Sequence, residues 1–239
     1  MKTMVIGASK GLGKALMEGL GDSGDTLIGV SRSRPTNLTP RPGVDLQWLE
    51  ADLGNPRQAA DLLAHCASES GLDTLVYNLG IWEDQAFDDA YEFLDDRDEQ
   101  LQRIVDCNVS APILLIKHLL PVLLRSERPR ILLTGSTSGL PQSGRPEVTF
   151  GASKFALRGM ADALREGYRD RRLGVTCLNL GYLNTEDALD TPRELAEQRG
   201  DGELIPVHDV VQVVRMALGL SAASFVKEIT LPAILDPRF

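Results

Sequence analysis

Short apolar runs alternate along the chain with longer segments in which apolar residues recur at spacings of three and four. Residues 3–7, 26–30, 46–49, 72–77, 130–134, 175–180 and 228–231 read as strands. Between them, residues 12–20, 56–68, 100–125, 151–171 and 208–220 carry the helical period. Parallel neighbours need crossover helices, so the pattern predicts an α/β fold: a doubly wound parallel sheet of about seven strands with helices on both faces. Two stretches follow neither period. Residues 81–99 scatter Asp and Glu around Trp82, Phe87, Tyr91 and Phe93, and residues 184–205 mix charge with Pro192 and glycine. Both follow strands where such sheets place ligand-binding loops. For the first, a solvated surface excursion is an equal reading.

Length and composition narrow this picture without changing it. Residues 1–239 suffice for one sizeable core, so the chain reads as a single dinucleotide-binding and catalytic domain. A net charge of −9 with no dense basic cluster argues against nucleic acid as a partner. Cys66, Cys107 and Cys177 are widely spaced, match no metal-ligand pattern and fit a reducing cytoplasm. The longest apolar region, residues 111–124, is broken by Lys117, His118 and Pro121, so neither a membrane span nor a signal peptide is expected.

The first strand runs into Gly7-Ala8-Ser9-Lys10-Gly11-Leu12-Gly13 and then a helix. Glycines in this context allow a tight turn, close approach of backbone to a pyrophosphate and close helix–strand packing, while the helix N-terminus supplies free N–H donors. That is a Rossmann-type nucleotide loop, with Gly7, Ser9, Lys10, Gly11, Leu12 and Gly13 as its expected contacts. At the end of the second strand, where NAD-binding sheets carry a carboxylate, the sequence has Ser31-Arg32-Ser33-Arg34. Arg32, Arg34 and Lys10 can converge on a 2′-phosphate that NAD lacks, so the expected cofactor is NADP(H).

The Gly-x-x-x-Gly-x-Gly spacing resembles that of the short-chain dehydrogenase/reductase family, and the resemblance runs nearly end to end. Asp52, followed by Leu53, resembles the family's adenine-contacting acid. Asn78-Leu79-Gly80 is similar to its Asn-Ala-Gly stretch, and Asn179-Leu180-Gly181-Tyr182-Leu183-Asn184-Thr185 to the segment covering the nicotinamide. Gly181, Leu183 and Thr185 are thereby implied as cofactor contacts, beside Asn78, Gly80 and Lys154. Ile6, Tyr77, Leu79 and Leu180 depart from the commonest residues at these motifs, which implies altered packing near the cofactor.

The same resemblance implies the catalytic positions. Ser136, ahead of Ser138, matches the serine that hydrogen-bonds the substrate oxygen, and Lys154 the lysine that binds the nicotinamide ribose. Asn108 matches the asparagine whose main-chain carbonyl holds a water; a helical carbonyl there would pair with the N–H of residue 112, which is proline and has none. The family's proton-transferring tyrosine falls at Phe150, which can neither donate nor accept a proton. Three readings of Phe150 stand open. Another acid serves, with Thr149, Tyr182 or a lysine-bound water as candidates; the cofactor is bound without turnover, as in a regulatory or scaffold protein; or tyrosine was deliberately replaced in an active reductase.

The expected activity is hydride transfer between NADP(H) and a carbonyl or secondary alcohol. Trp82, Phe87, Gln142, Tyr182 and residues 184–205 are candidates for the substrate pocket. The helices over residues 100–125 and 151–171 resemble those that pair family members, which implies a homodimer or homotetramer.

Overall fold

Met4 and Ile6 face one side of the first strand and Val5 the other, and all three are fully buried. Only a central strand covered on both faces allows that. The computed structural model describes residues 1–236; the last three of the expected 1–239 domain lie outside them. Its elements in chain order are β1 (Lys2–Ile6), α1 (Gly11–Gly19), β2 (Thr26–Ser31), β3 (Asp45–Glu50), α2 (Pro56–Ser70) and β4 (Thr74–Tyr77), then α3 (Asp98–Val105) and α4 (Ala111–Leu123). There follow β5 (Arg130–Ser136), α5 (Val148–Gly167), β6 (Gly174–Leu180), β7 (Leu183–Asn184), α6 (Arg193–Gly200), β8 (Ile205–Pro206), α7 (Val207–Gly219) and β9 (Glu228–Leu231).

All seven expected strands join one parallel sheet in the order β3-β2-β1-β4-β5-β6-β9. Leu63 of α2, Leu115 and Leu119 of α4 and Leu157 of α5 cover one face; Leu12 and Leu16 of α1 with Val210 and Val214 of α7 cover the other. The strand order reverses between β1 and β4, which opens a crevice at their C-terminal ends.

Three expectations need correction. The helix expected over residues 100–125 runs unbroken from Asp98 to Leu123 but is not α-helical throughout: between α3 and α4 a π-helical turn, Asp106–Ser110, sends the Ala111 N–H five residues back to the Asp106 carbonyl. Pro112 has no N–H to continue the ordinary ladder, and the helix absorbs the gap by widening one turn. The helix expected from residue 151 starts at Val148, which puts Phe150 inside its first turn, and it ends at Gly167 before a short 3₁₀ turn, Arg169–Arg171. Residues 184–205 are not irregular throughout. They hold α6, whose eight residues bury only Ala196 and Gly200, and β7 and β8, paired at Leu183 with Ile205 and Asn184 with Pro206. Elements so short leave no readable period.

The run Asp98–Leu123 is long and apolar enough to cross a membrane by length and composition, yet half of that apolar window is buried inside the fold. Leu115, Leu119 and Leu123 are wholly enclosed, the behaviour of a core helix.

Candidate active site

The loop after β1 is shaped by what its glycines lack. Gly7 has a φ of +78°, and a Cβ there would stand 3.1 Å from the Leu79 backbone; a Cβ on Gly13 would stand 1.9 Å from the Gly7 carbonyl oxygen. The bare backbone therefore turns tightly at the start of α1, where helix N-terminal N–H groups suit an anion such as a pyrophosphate. Ser9 is half-buried and Lys10 exposed at the rim, while the Leu12 side chain turns into the core.

The neighbouring strand ends complete this half. The Asn78 amide nitrogen lies 3.0 Å from where a Gly13 Cβ would be, and its Oδ1 accepts from the Thr134 hydroxyl at 3.2 Å. The Thr185 side chain reaches to 3.5 Å from a Cβ placed on Gly11, so the loop after β6 closes against the glycine loop. Leu183 sits in β7, and Gly181 donates its N–H to the Leu231 carbonyl. Ser31 spends its hydroxyl on the Ser33 carbonyl at 2.7 Å, and no carboxylate pairs with Lys10, Arg32 or Arg34 among the described residues. Asp52 lies exposed after β3, its carboxylate accepting the Gly54 N–H, and Leu53 is buried.

Lys154, on the second turn of α5, is 5% exposed, and its ammonium donates to the Thr134 carbonyl at 3.1 Å. Gly80 makes that reach possible, since a Cβ there would stand 3.0 Å from Nζ. Burial lowers the Lys154 pKa to about 8. The ammonium lies 5.3 Å from the centroid of the Phe150 ring, in cation–π range. Ser136 ends β5, and its hydroxyl oxygen accepts the Ser138 N–H at 3.1 Å. The following turn packs against α5 so closely that a Cβ on Gly139 would stand 2.8 Å from the Lys154 backbone, so the Ser136 segment and α5 form one wall.

Asn108 is buried in the π turn. Its side chain clamps the loop after β4, accepting the Ile81 N–H at 2.9 Å and donating to the Ile81 carbonyl at 2.7 Å and the Ser153 hydroxyl at 3.0 Å. The wide turn also frees the Cys107 carbonyl, which accepts the hydroxyl of the wholly buried Tyr77 at 2.8 Å. Tyr77 stood out in the sequence as an uncommon residue for its motif, and this hydrogen bond is what it does.

Sequence reasoning missed two carboxylates. Glu83, with no exposed surface, accepts the N–H groups of Thr149 and Phe150 at 2.9 and 3.0 Å and so caps α5 from the loop after β4. Glu147, also buried, accepts the N–H of Phe87 at 2.9 Å. The acidic stretch after β4 is thus anchored in the protein at Glu83 and is not wholly a solvated excursion. Phe87 has a φ of +70°, unusual for a bulky side chain. Its ring meets Phe150 edge-on at 5.5 Å and Tyr182 at 5.4 Å, with Trp82 beside both phenylalanines. Tyr182 receives a hydrogen bond from Arg145, which also pairs with Asp236. Gln142 stands apart from this cluster among the described residues, exposed and with a φ of +59°.

Known proteins resemble this chain in sequence and in fold. A family model described as short chain dehydrogenase matches residues 2–195. The 3-oxoacyl-[acyl-carrier-protein] reductase FabG of Escherichia coli (strain K12) is 26% identical over 207 residues, covering 85% of this chain and 80% of its own length. The NADPH-dependent pterin aldehyde reductase of Arabidopsis thaliana is 27% identical over 196 residues, covering 77% and 75%. An alcohol dehydrogenase from the archaeon Thermococcus sibiricus, solved with 5-hydroxy-NADP, shares the fold with a TM-score of 0.77 at 19% identity, over 98% of this chain and 96% of that one.

Proposed function

Because the chain belongs to the short-chain dehydrogenase family, we propose that it is an NADP(H)-dependent oxidoreductase for a carbonyl or secondary-alcohol substrate, with turnover held down by Phe150. In this reading Gly7, Ser9, Lys10, Gly11, Leu12 and Gly13 hold the pyrophosphate, and Arg32 beside Ser31 takes the 2′-phosphate. Asp52 and Leu53 flank the adenine, Asn78, Gly80 and Lys154 hold the nicotinamide ribose, and Gly181, Leu183 and Thr185 cover the nicotinamide. When bound, that ring supplies or accepts the hydride. Ser136 donates a hydrogen bond to the substrate oxygen as charge develops there, and the Asn108 main-chain carbonyl, which Pro112 cannot pair, holds a water. The names of the Arabidopsis and Escherichia coli relatives support NADPH and a carbonyl substrate. The protein is further read as cytoplasmic and as a dimer or tetramer through the outer faces of α4 and α5, where Ile113 and Phe155 stand exposed.

One observation carries the reading: Lys154 sits buried over the ring at position 150, where its positive charge would stabilise a phenolate and has only a phenyl ring to face. The test is Phe150→Tyr, assayed for NADPH consumption over a broad panel of ketones and aldehydes, with NADPH affinity measured in both proteins. Gain of turnover at matched affinity supports the reading. No turnover at matched affinity refutes it.

A specific contact favours a second reading, a cofactor-binding protein without turnover. The Phe87 ring packs edge-on against Phe150 at 5.5 Å, covering part of that ring with apolar surface. This reading predicts that Phe150→Tyr stays silent while NADPH binding persists.

A further inference from the structure

At the opposite end of the sheet, where β5 and β6 begin, lies a second charged cleft. It is roughly 20 Å from the glycine loop, the length of a strand of six or seven residues at about 3.3 Å each. Its volume is about 830 Å³, within the usual range for small-molecule sites. Arg130, Arg165, Arg169, Arg172 and Lys227 line it against only two carboxylates, Asp162 and Glu166. Five cations facing two anions is a local excess of positive charge in a chain whose net charge is −9.

The carboxylates are already committed. Glu166 pairs with Arg169, and Asp162 is shared between Arg165 and Lys227, the latter at 3.6 Å. Arg130 and Arg172 have no carboxylate partner among the described residues. Arg172 stands at the lip in a left-handed turn, with a φ of +57°.

Arg130 is the more informative of the two because it is only 7% exposed. Its guanidinium donates to the carbonyls of Pro129, Ser221 and Ser224 at 3.3, 3.5 and 3.1 Å. Those carbonyls satisfy N–H groups and leave the charge itself without a counter-ion, an expensive arrangement for a buried cation. Burial and the nearby Arg128 push its pKa down, consistent with a charge that lacks compensation. Leu173 and Phe225 add apolar surface to the same wall.

We propose that this cleft binds a small phosphorylated molecule, with Arg130, Arg172 and Lys227 taking its phosphate oxygens. Cations approaching from three segments of chain suit a group with several charged oxygens, and guanidinium forks match phosphate geometry; a lone carboxylate would leave most of the positive charge uncompensated. The site is separate from the cofactor crevice, and its occupancy does not depend on whether the chain turns over a substrate.

The test titrates inorganic tripolyphosphate into the full chain at low ionic strength by calorimetry. It is repeated on Arg32→Asp, which removes the cation assigned to the 2′-phosphate at the cofactor end, and on the doubly substituted Arg172→Glu, Lys227→Glu. Both residues of the pair are exposed, so the fold is retained, and circular dichroism checks this. The proposal expects saturable binding that Arg32→Asp leaves within twofold and the double substitution weakens at least tenfold. Absence of binding at millimolar tripolyphosphate, or binding that the double substitution leaves unchanged, overturns it. So does tighter binding of polyglutamate than of tripolyphosphate, which would make the cleft a docking surface for an acidic protein.

Discussion

Around the glycine loop, backbone packs too closely for any Cβ at Gly7 or Gly13, and Lys10, Arg32 and Arg34 have no carboxylate partner among the described residues. Around position 150 the opposite holds. Asn108 has its side chain fully engaged, Lys154 donates to Thr134, and Phe150 is packed by Phe87 and Trp82. In the proposed reading, one half of the crevice binds the nucleotide, while the other keeps the supports of a proton-transfer site around a ring that transfers none. On that reading the nucleotide chemistry and the acid–base chemistry of a Rossmann-type crevice are separable, because the two are built from different strand ends.

The largest expected effect strikes at this contrast. Phe150→Tyr should raise carbonyl reduction about 10²–10⁴-fold, the usual worth of a positioned general acid, with ring volume nearly conserved. Steady-state NADPH consumption reads it.

A second effect isolates the buried ammonium. Because burial lowers the Lys154 pKa from 10.5 to about 8, the folded chain releases this proton at lower pH than the unfolded chain does. The unfolded state therefore binds more protons between about pH 8 and 10.5, and folding stability contributed by this group rises with pH across that window, by roughly 3 kcal/mol at completion. Urea denaturation at stepped pH should show the rise in the ligand-free protein, and Lys154→Met should remove it.

On the nucleotide side, Arg32→Asp should reverse the preference for NADPH over NADH, with NADPH affinity falling about 10- to 100-fold for a lost charge-assisted contact. Fluorescence titration with both cofactors measures it. The smallest effect concerns the join between the halves: Glu83→Ala removes the acceptor shared by the Thr149 and Phe150 N–H groups and should cost about 1–2 kcal/mol of stability, the range of a lost helix cap. Thermal unfolding reads that change.

The two halves also differed in how far the sequence exposed them. The five inner strands were legible because burial on both faces makes short continuous apolar runs such as residues 3–7 and 175–180, and the edge strands β3 and β9 because they alternate exposed and half-buried residues. The glycine loop was legible because its residues are consecutive. Glu83 was not, since the N–H groups it holds belong to backbone 66 and 67 residues away and leave no trace in residue type. Pro112 signalled a disturbed helix near Asn108, but not that the disturbance would be a π turn handing the Cys107 carbonyl to Tyr77. Short β7, α6 and β8 carry too few buried residues to set a period.

The central claim is that the nucleotide half is complete while the catalytic half lacks its proton donor, and the unaltered chain tests it most directly. NADPH and NADH are titrated by nicotinamide fluorescence, and the saturated NADPH complex is then followed at 340 nm with a panel of carbonyl compounds. The account predicts saturable binding with NADPH favoured over NADH, followed by negligible consumption. Absence of NADPH binding would contradict the first half of the claim, and rapid NADPH oxidation by the Phe150 protein would contradict the second.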